Sequence, residues 1–345
     1  MTGEMTEEMN RSVPDKYRLL QTCLTGLLAY EDCFDTVPQD FAPWVCERLA
    51  WHKVLPLAAA VSDGMKPKCT GIKEIFHAVT LKNLLREEAY RRQAETVFKA
   101  LAAAGIHFVP FKGPFWMGRL YGAYHWRHIG DMDLFLNKRD IPHAACVLAG
   151  MGYAAHTLEG SIQEDLIRRG ELAFFPGAGL PGAVPVELHW DLMPSPRFLR
   201  KRYISAEDLT GTRQTAQWQG LRYPLPRPEI QLFYYMLHAA CQHQFMRFVH
   251  LMLLVHFIES YPDLDWDWFL DLVISRKAQA PVYACLQIVR KFWRLPAGAC
   301  RVQSAVKPPL RTRFAPVLLP PDLFVRSTPK RGALRRKLFR AMMSW

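Results

Sequence analysis

The chain has 345 residues, half of them apolar and 12% aromatic, enough for a packed core and against wholesale disorder. At roughly 150 residues per domain, this length allows about two domains. The formal net charge of +12 is lopsided: from Cys300 to Trp345, eleven Lys or Arg face one acid, Asp322, and the rest is nearly neutral. Such a distribution argues against a protein that wraps nucleic acid over its whole surface.

The opening segment, MTGEMTEEMNR, lacks the basic and apolar regions of a signal peptide. The longest apolar run, HLMLLVHFI, is too short to cross a bilayer. Eight cysteines are scattered without a CxxC pair, which fits neither a common zinc site nor a compact disulfide framework. Free thiols without a leader predict a cytoplasmic protein.

Residues 1–105 read as an N-terminal helical region. APWVCERLAWHKVLPLAAAV is a helical run interrupted by Pro56, with a loop expected from Asp63-Gly64 to Lys66-Pro67. EEAYRRQAETVFKALAAAG carries a stripe of Ala89, Tyr90, Ala94, Val97, Phe98 and Leu101, closed by Gly105.

Residues 106–200 change texture to a small α/β core. IHFVPF is a short apolar strand, PFWMGRLYG a short helix with Pro114 at its first position, and DMDLFL alternates with the period of a strand. RDIPHAACVLAGMGY is a helix with a glycine exit, and ELAFF, PGAGLPGA and VPVELHW form a hairpin. Residues 201–300 return to helices, with PEIQLFYYMLHAACQHQFMRFVHLMLLVHFIESY as one or two of them. Residues 301–345 form a basic, Pro/Arg-rich tail. Its end, TPKRGALRRKLFRAMMSW, is amphipathic, and segment 326–345 could lie on an anionic membrane or grip RNA. Packing on its own body is as strong an expectation.

The chemistry concentrates in the α/β core. Alternate strand residues share a face, so Asp131 and Asp133 point one way, as do Glu187, His189 and Asp191 on their strand. If the two strands are neighbours, three carboxylates make an oxygen-rich site suited to Mg²⁺ or Mn²⁺. Lys112 and Gly113 lie where a strand gives way to a helix, a place that favours phosphate. A lone Asp-x-Asp is more often a solvated face; the order of these features argues for a triphosphate-and-metal site. Arg127 either contacts that triphosphate or pairs with a carboxylate. His238 and His243 read as packed or capped side chains. No Walker A, GxGxxG, HExxH or nucleophile elbow appears.

Lys112, Gly113, Tyr121, Arg127, Gly130, Asp131, Asp133, Leu134, Gly152, Tyr153, Glu187, His189 and Trp190 together resemble the pattern of the uncharacterised nucleotidyltransferase family of bacteria, within the DNA polymerase β-like superfamily. The resemblance implies an α+β nucleotidyltransferase fold, a mixed sheet flanked by N- and C-terminal helical regions. It implies transfer of a nucleoside monophosphate from an NTP to a hydroxyl, with pyrophosphate released and Asp131, Asp133 and Glu187 as metal ligands. The acceptor would be a sugar, lipid-linked, peptide or protein hydroxyl. Lys-Gly-Pro replaces the Gly-Ser or Gly-Gly phosphate turn of the wider superfamily, and apolar residues surround Leu253 where many relatives carry an Asp. The other expectation is a catalytically silent nucleotide-binding scaffold docked through the basic tail.

Overall fold

A computed structural model describes residues 17–62, 70–158, 160–191, 209, 214–320 and 332–343. The expected loop at 63–67, and residues 326–331 and 344–345 of the basic segment, lie outside them. The chain is mixed α+β, built around a five-stranded sheet in the order β1-β2-β5-β4-β3. These strands are β1 (Phe108–Pro110), β2 (Met132–Leu136), β3 (Tyr153–His156), β4 (Glu171–Pro176) and β5 (Val186–His189). β2 and β5 run parallel and every other pair is antiparallel.

Upstream stand α1 (residues 17–26), α2 (Ala42–Trp51), α3 (Leu55–Ser62) and α4 (Thr70–Ala103). Pro56 enters early in α3, where its missing N–H costs nothing. α2 closes in a Schellman turn: Val54 N–H donates to Leu49 O and Lys53 N–H to Ala50 O. Lys53 holds the left-handed position of that turn, at φ 59°.

α4 has 34 residues, about 50 Å of helix at 1.5 Å per residue. Its buried stripe runs through Phe76, Asn83, Glu87, Tyr90, Ala94, Val97 and Leu101, whereas Ala89 is exposed. Gly105 ends it at φ 71°. The two polar members have partners in the segment between α5 (Pro114–Tyr121) and β2. Asn83 Nδ2 donates to His125 O at 3.2 Å, and Glu87 Oε2 lies 2.9 Å from His125 Nδ1.

α6 (Ile141–Gly150) and α7 (Ile162–Arg168) complete the core's connections. A second hairpin of β6 (Gln214–Trp218) and β7 (Leu221–Leu225) turns at Gln219-Gly220, both at positive φ, the geometry of a two-residue hairpin loop. Tyr223 Oη donates to Phe115 O, pinning this hairpin to α5.

α8 (Pro228–Leu237) runs into a π-helical turn, His238–Gln242, before α9 (Phe248–Ser260). Leu253 of α9 is buried. α10 (Trp266–Ser275), α11 (Gln279–Arg290), α12 (Ala297–Ala305) and α13 (Leu310–Phe314) follow. The last helix, α14 (Ala333–Met343), buries Phe339 and Met343 against the body, and Thr312 Oγ1 donates to Met342 O. Part of the tail's apolar face is thus spent on the chain itself. Among the described residues no helix is long and apolar enough to cross a membrane.

Candidate active site

β2 is buried along its whole length. The plain alternative for DMDLFL, a solvated strand face, does not hold for Met132–Leu136, as is usual for a central strand in a sheet covered on both sides, while Asp131 just ahead of the strand is exposed. Asp133 is nonetheless on it, 2% exposed. A carboxylate buried so deeply must be neutralised by partners, and the next elements supply them.

Asp133 is paired in register with Glu187 of β5, so both side chains leave the same face of the sheet. Glu171 of β4 pairs with His189, and Ala173 with Glu187, which puts Glu171 on that face too. Lys112 follows β1 and returns over the sheet, its Nζ 2.6 Å from Asp133 Oδ1. His189 Nε2 reaches the same oxygen at 2.9 Å, and Glu187 Oε2 at 3.4 Å. His189 Nδ1 lies 3.4 Å from Glu171 Oε2.

The electrostatics follow from these contacts. Burial raises the Asp133 acid, but Lys112 and the His189 hydrogen bond outweigh it and hold the group well below the carboxylate range. Burial and Lys112 oppose a proton on His189, yet Asp133, Glu187 and Glu171 prevail and lift it to about 9. Burial also opposes the charge on Lys112, and Asp133 overcomes it. Asp131 sits just before β2 at the open mouth of the cleft. The charge of Asp133, then burial, raises it to about 6.

Gly113 caps α5 at φ 64°, ψ −146°, a backbone state that only glycine adopts easily. It points the first turn of α5, and Pro114 behind it, into a cavity of about 250 Å³. Asp131, Asp133, Glu171 and Glu187 line one part of this cleft. Lys53, Lys112, Arg127, His128 and His243 line it too, with Lys112 against Asp133. Arg127 Nη1 is buried there without a hydrogen-bond partner.

Among the described residues two sets of side chains hold ligand atoms within 4.8 Å of one another: His238, His243 and His250, and, on the sheet, Asp133, Glu187 and His189. Asp131 shares the cleft but stands outside both sets. His238 and His243 are joined through their Nε2 atoms at 3.0 Å, and His250 stacks on His243. His238 and Gln242 of the π-helical turn and His243 just after it line the cleft, with Gln244 and Phe245 at positive φ completing the bend.

Sequence reasoning missed Lys53, Glu171, His128 and Gln242 in the cleft. Glu171 alone carried a usable signal, the period-two alternation of ELAFF. His128 lies beside Arg127 in sequence, and Lys53 and Gln242 come from bends distant in sequence.

The profile of the uncharacterised nucleotidyltransferase family matches residues 42–294, more than half of the chain, and the chain belongs to that family. No curated protein and no solved structure matches it.

Proposed function

We propose that this transferase moves a nucleoside monophosphate from an NTP to a hydroxyl acceptor, with release of pyrophosphate, in a reaction dependent on Mg²⁺ or Mn²⁺. The observation that carries the reading is the convergence in one cleft of Asp133 and Glu187, in register on neighbouring parallel strands, with Lys112 and Gly113 at the start of α5. The donor set fits a hard divalent ion: carboxylate oxygens predominate, on rigid strands, with Asp131 at the open side.

Asp131, Asp133 and Glu187 would hold one or two such ions. Bound there, they would activate the acceptor hydroxyl and neutralise charge on the leaving pyrophosphate oxygen. The chain's own groups do the rest. Gly113 lets the backbone approach the triphosphate closely, and the free N–H groups of α5 face it. Lys112 holds Asp133 in place and adds positive charge beside the phosphates. Arg127 Nη1, unpartnered in the cleft, supplies donors to them. His189 bridges Asp133 and Glu187 and fixes their separation. The acceptor is a sugar, lipid-linked, peptide or protein hydroxyl.

Calorimetric titration with a non-hydrolysable NTP tests the binding half of this account. Affinity should require Mg²⁺ and fall at least tenfold in Asp133→Asn. Equal binding with and without metal, or in both proteins, would contradict it.

A further inference from the structure

Beside the cleft lies a second cavity of about 400 Å³, formed by α2, α3, α4 and the turn before α9. Lys53, Lys82, Arg86 and Arg247 line it together with His128, and no carboxylate does. Among the described residues, none of these five side chains makes an ion pair. The acids nearest in sequence on α4 are committed elsewhere: Glu87 to His125, and Glu88 to Arg91 and Arg92.

The arrangement is costly without an anion. Val79, Lys82, Asn83 and Arg86 fall at the spacing of one helix face, and like charges four apart destabilise a helix by a few tenths of a kcal/mol. Lys53 occupies a left-handed Schellman position where glycine is usual. Arg247 stacks 4.9 Å over Trp51, with its Nε buried and lacking a hydrogen-bond partner. The crowding of cations is felt by its members: burial, then Lys53 and Arg86, push His128 down to about 4. Burial, then Arg247 and Arg127, lower Lys53, against the opposing pull of Asp131 and Asp133 in the neighbouring cleft.

Lys53 and His128 also line the carboxylate cleft, so the two cavities meet at these residues. Gly113 and Lys112, the phosphate end of the cleft, belong to the cleft alone. An anion in the second cavity would thus sit on the far side of Lys53 from the start of α5.

From this geometry we infer that the second cavity is a subsite for a phosphate-bearing group of the acceptor, gripped by Lys53, Lys82, Arg86 and Arg247 while the acceptor's hydroxyl enters the cleft past His128. Phosphate suits four convergent donors of this kind. The inference rests on the nucleotidyl-transfer reading for the word acceptor, but the anion site stands on its own residues.

The test is a ³¹P NMR titration of the full chain with inorganic phosphate and with glycerol 3-phosphate, first alone and then with a non-hydrolysable NTP and Mg²⁺ at saturation. Both phosphates should bind saturably with NTP present, and Lys82→Ala/Arg86→Ala should weaken them at least tenfold. Both side chains are exposed on α4, so the fold should survive; a thermal melt checks this. Under those conditions NTP affinity should change less than threefold. Phosphate binding that is indifferent to the double variant overturns the subsite. So does phosphate binding that NTP abolishes while the variant weakens NTP equally, because the cavity would then hold the NTP's own tail. If the chain binds no NTP, the transfer reading fails but the titration of the free protein still decides the anion site.

Discussion

Lys112 Nζ lies 2.6 Å from Asp133 Oδ1, at an oxygen that His189 Nε2 also approaches to 2.9 Å. One buried carboxylate oxygen thus takes contacts from two cationic groups. In the metal-free chain they supply the neutralising charge that a divalent ion would otherwise bring. The pairing explains how β2 can bury an aspartate in its middle and remain a central strand.

Removing one partner of a buried pair strands the other charge, at a cost of about 3–5 kcal/mol. Lys112→Met should therefore destabilise the metal-free protein by about 3 kcal/mol, read from urea unfolding. Added Mg²⁺ should recover part of the loss, because the ion would neutralise Asp133 in place of the lysine.

His189 carries a stability signature with a defined sign. Its folded value is about 9 against about 6.5 in an unfolded chain. Below 6.5 both states hold the proton and its stabilisation is fully present. Between 6.5 and 9 the folded state keeps a proton that the unfolded state has released, so stability falls as pH rises, and the contribution is gone above 9. Urea midpoints measured in EDTA across this window should decline, and His189→Gln should flatten the decline.

Asp131 behaves oppositely. Its acid is raised to about 6 by Asp133, so its ionised form is unfavourable in the folded protein. Asp131→Asn should raise the melting temperature of the metal-free protein. The gain should be absent near pH 3.8, grow as the wild-type group ionises, and be complete above pH 6. The same variant should lose transfer, because the strain belongs to a charge held for function.

Glu87 and Asn83 act through His125 on the segment that carries Arg127 and Asp131. Glu87→Leu should cost about 1–3 kcal/mol of stability, the range for a lost buried partner. It should also raise the KM for NTP more than it lowers kcat. Glu87→Gln, which can still hydrogen-bond His125, should restore most of the affinity.

Much of this site was legible in the sequence, for a local reason. Strand alternation places Glu187 and His189 on one face whatever the tertiary fold, and the register of β2 against β5 brings Asp133 beside them. The Lys112-Gly113-Pro114 turn likewise encodes its own helix start. Lys53, Gln242 and His243 had no such signal, because their place in the site depends on how α2 and the π-helical bend pack around the sheet. The same holds for the burial of β2: alternating polarity alone is equally compatible with a solvated face, and the Lys112 and His189 partners that let Asp133 be buried come from other elements. The β6–β7 hairpin shows a further gap. Its strands are only five residues each, and although Leu221, Tyr223 and Leu225 alternate, Gln-Gly is a weaker turn signal than Asn-Gly.

The most direct measurement is transfer of label from α-³²P-NTP, with γ-³²P-NTP in parallel, to a pool of hydroxyl acceptors in Mg²⁺ or Mn²⁺. The wild-type chain should transfer α label and release γ label as pyrophosphate. Glu187→Gln and Asp131→Asn, both folded by thermal melt, should lose at least a hundredfold of that rate. Equal α-label transfer by wild type and both variants would contradict the assignment of the chemistry to these carboxylates.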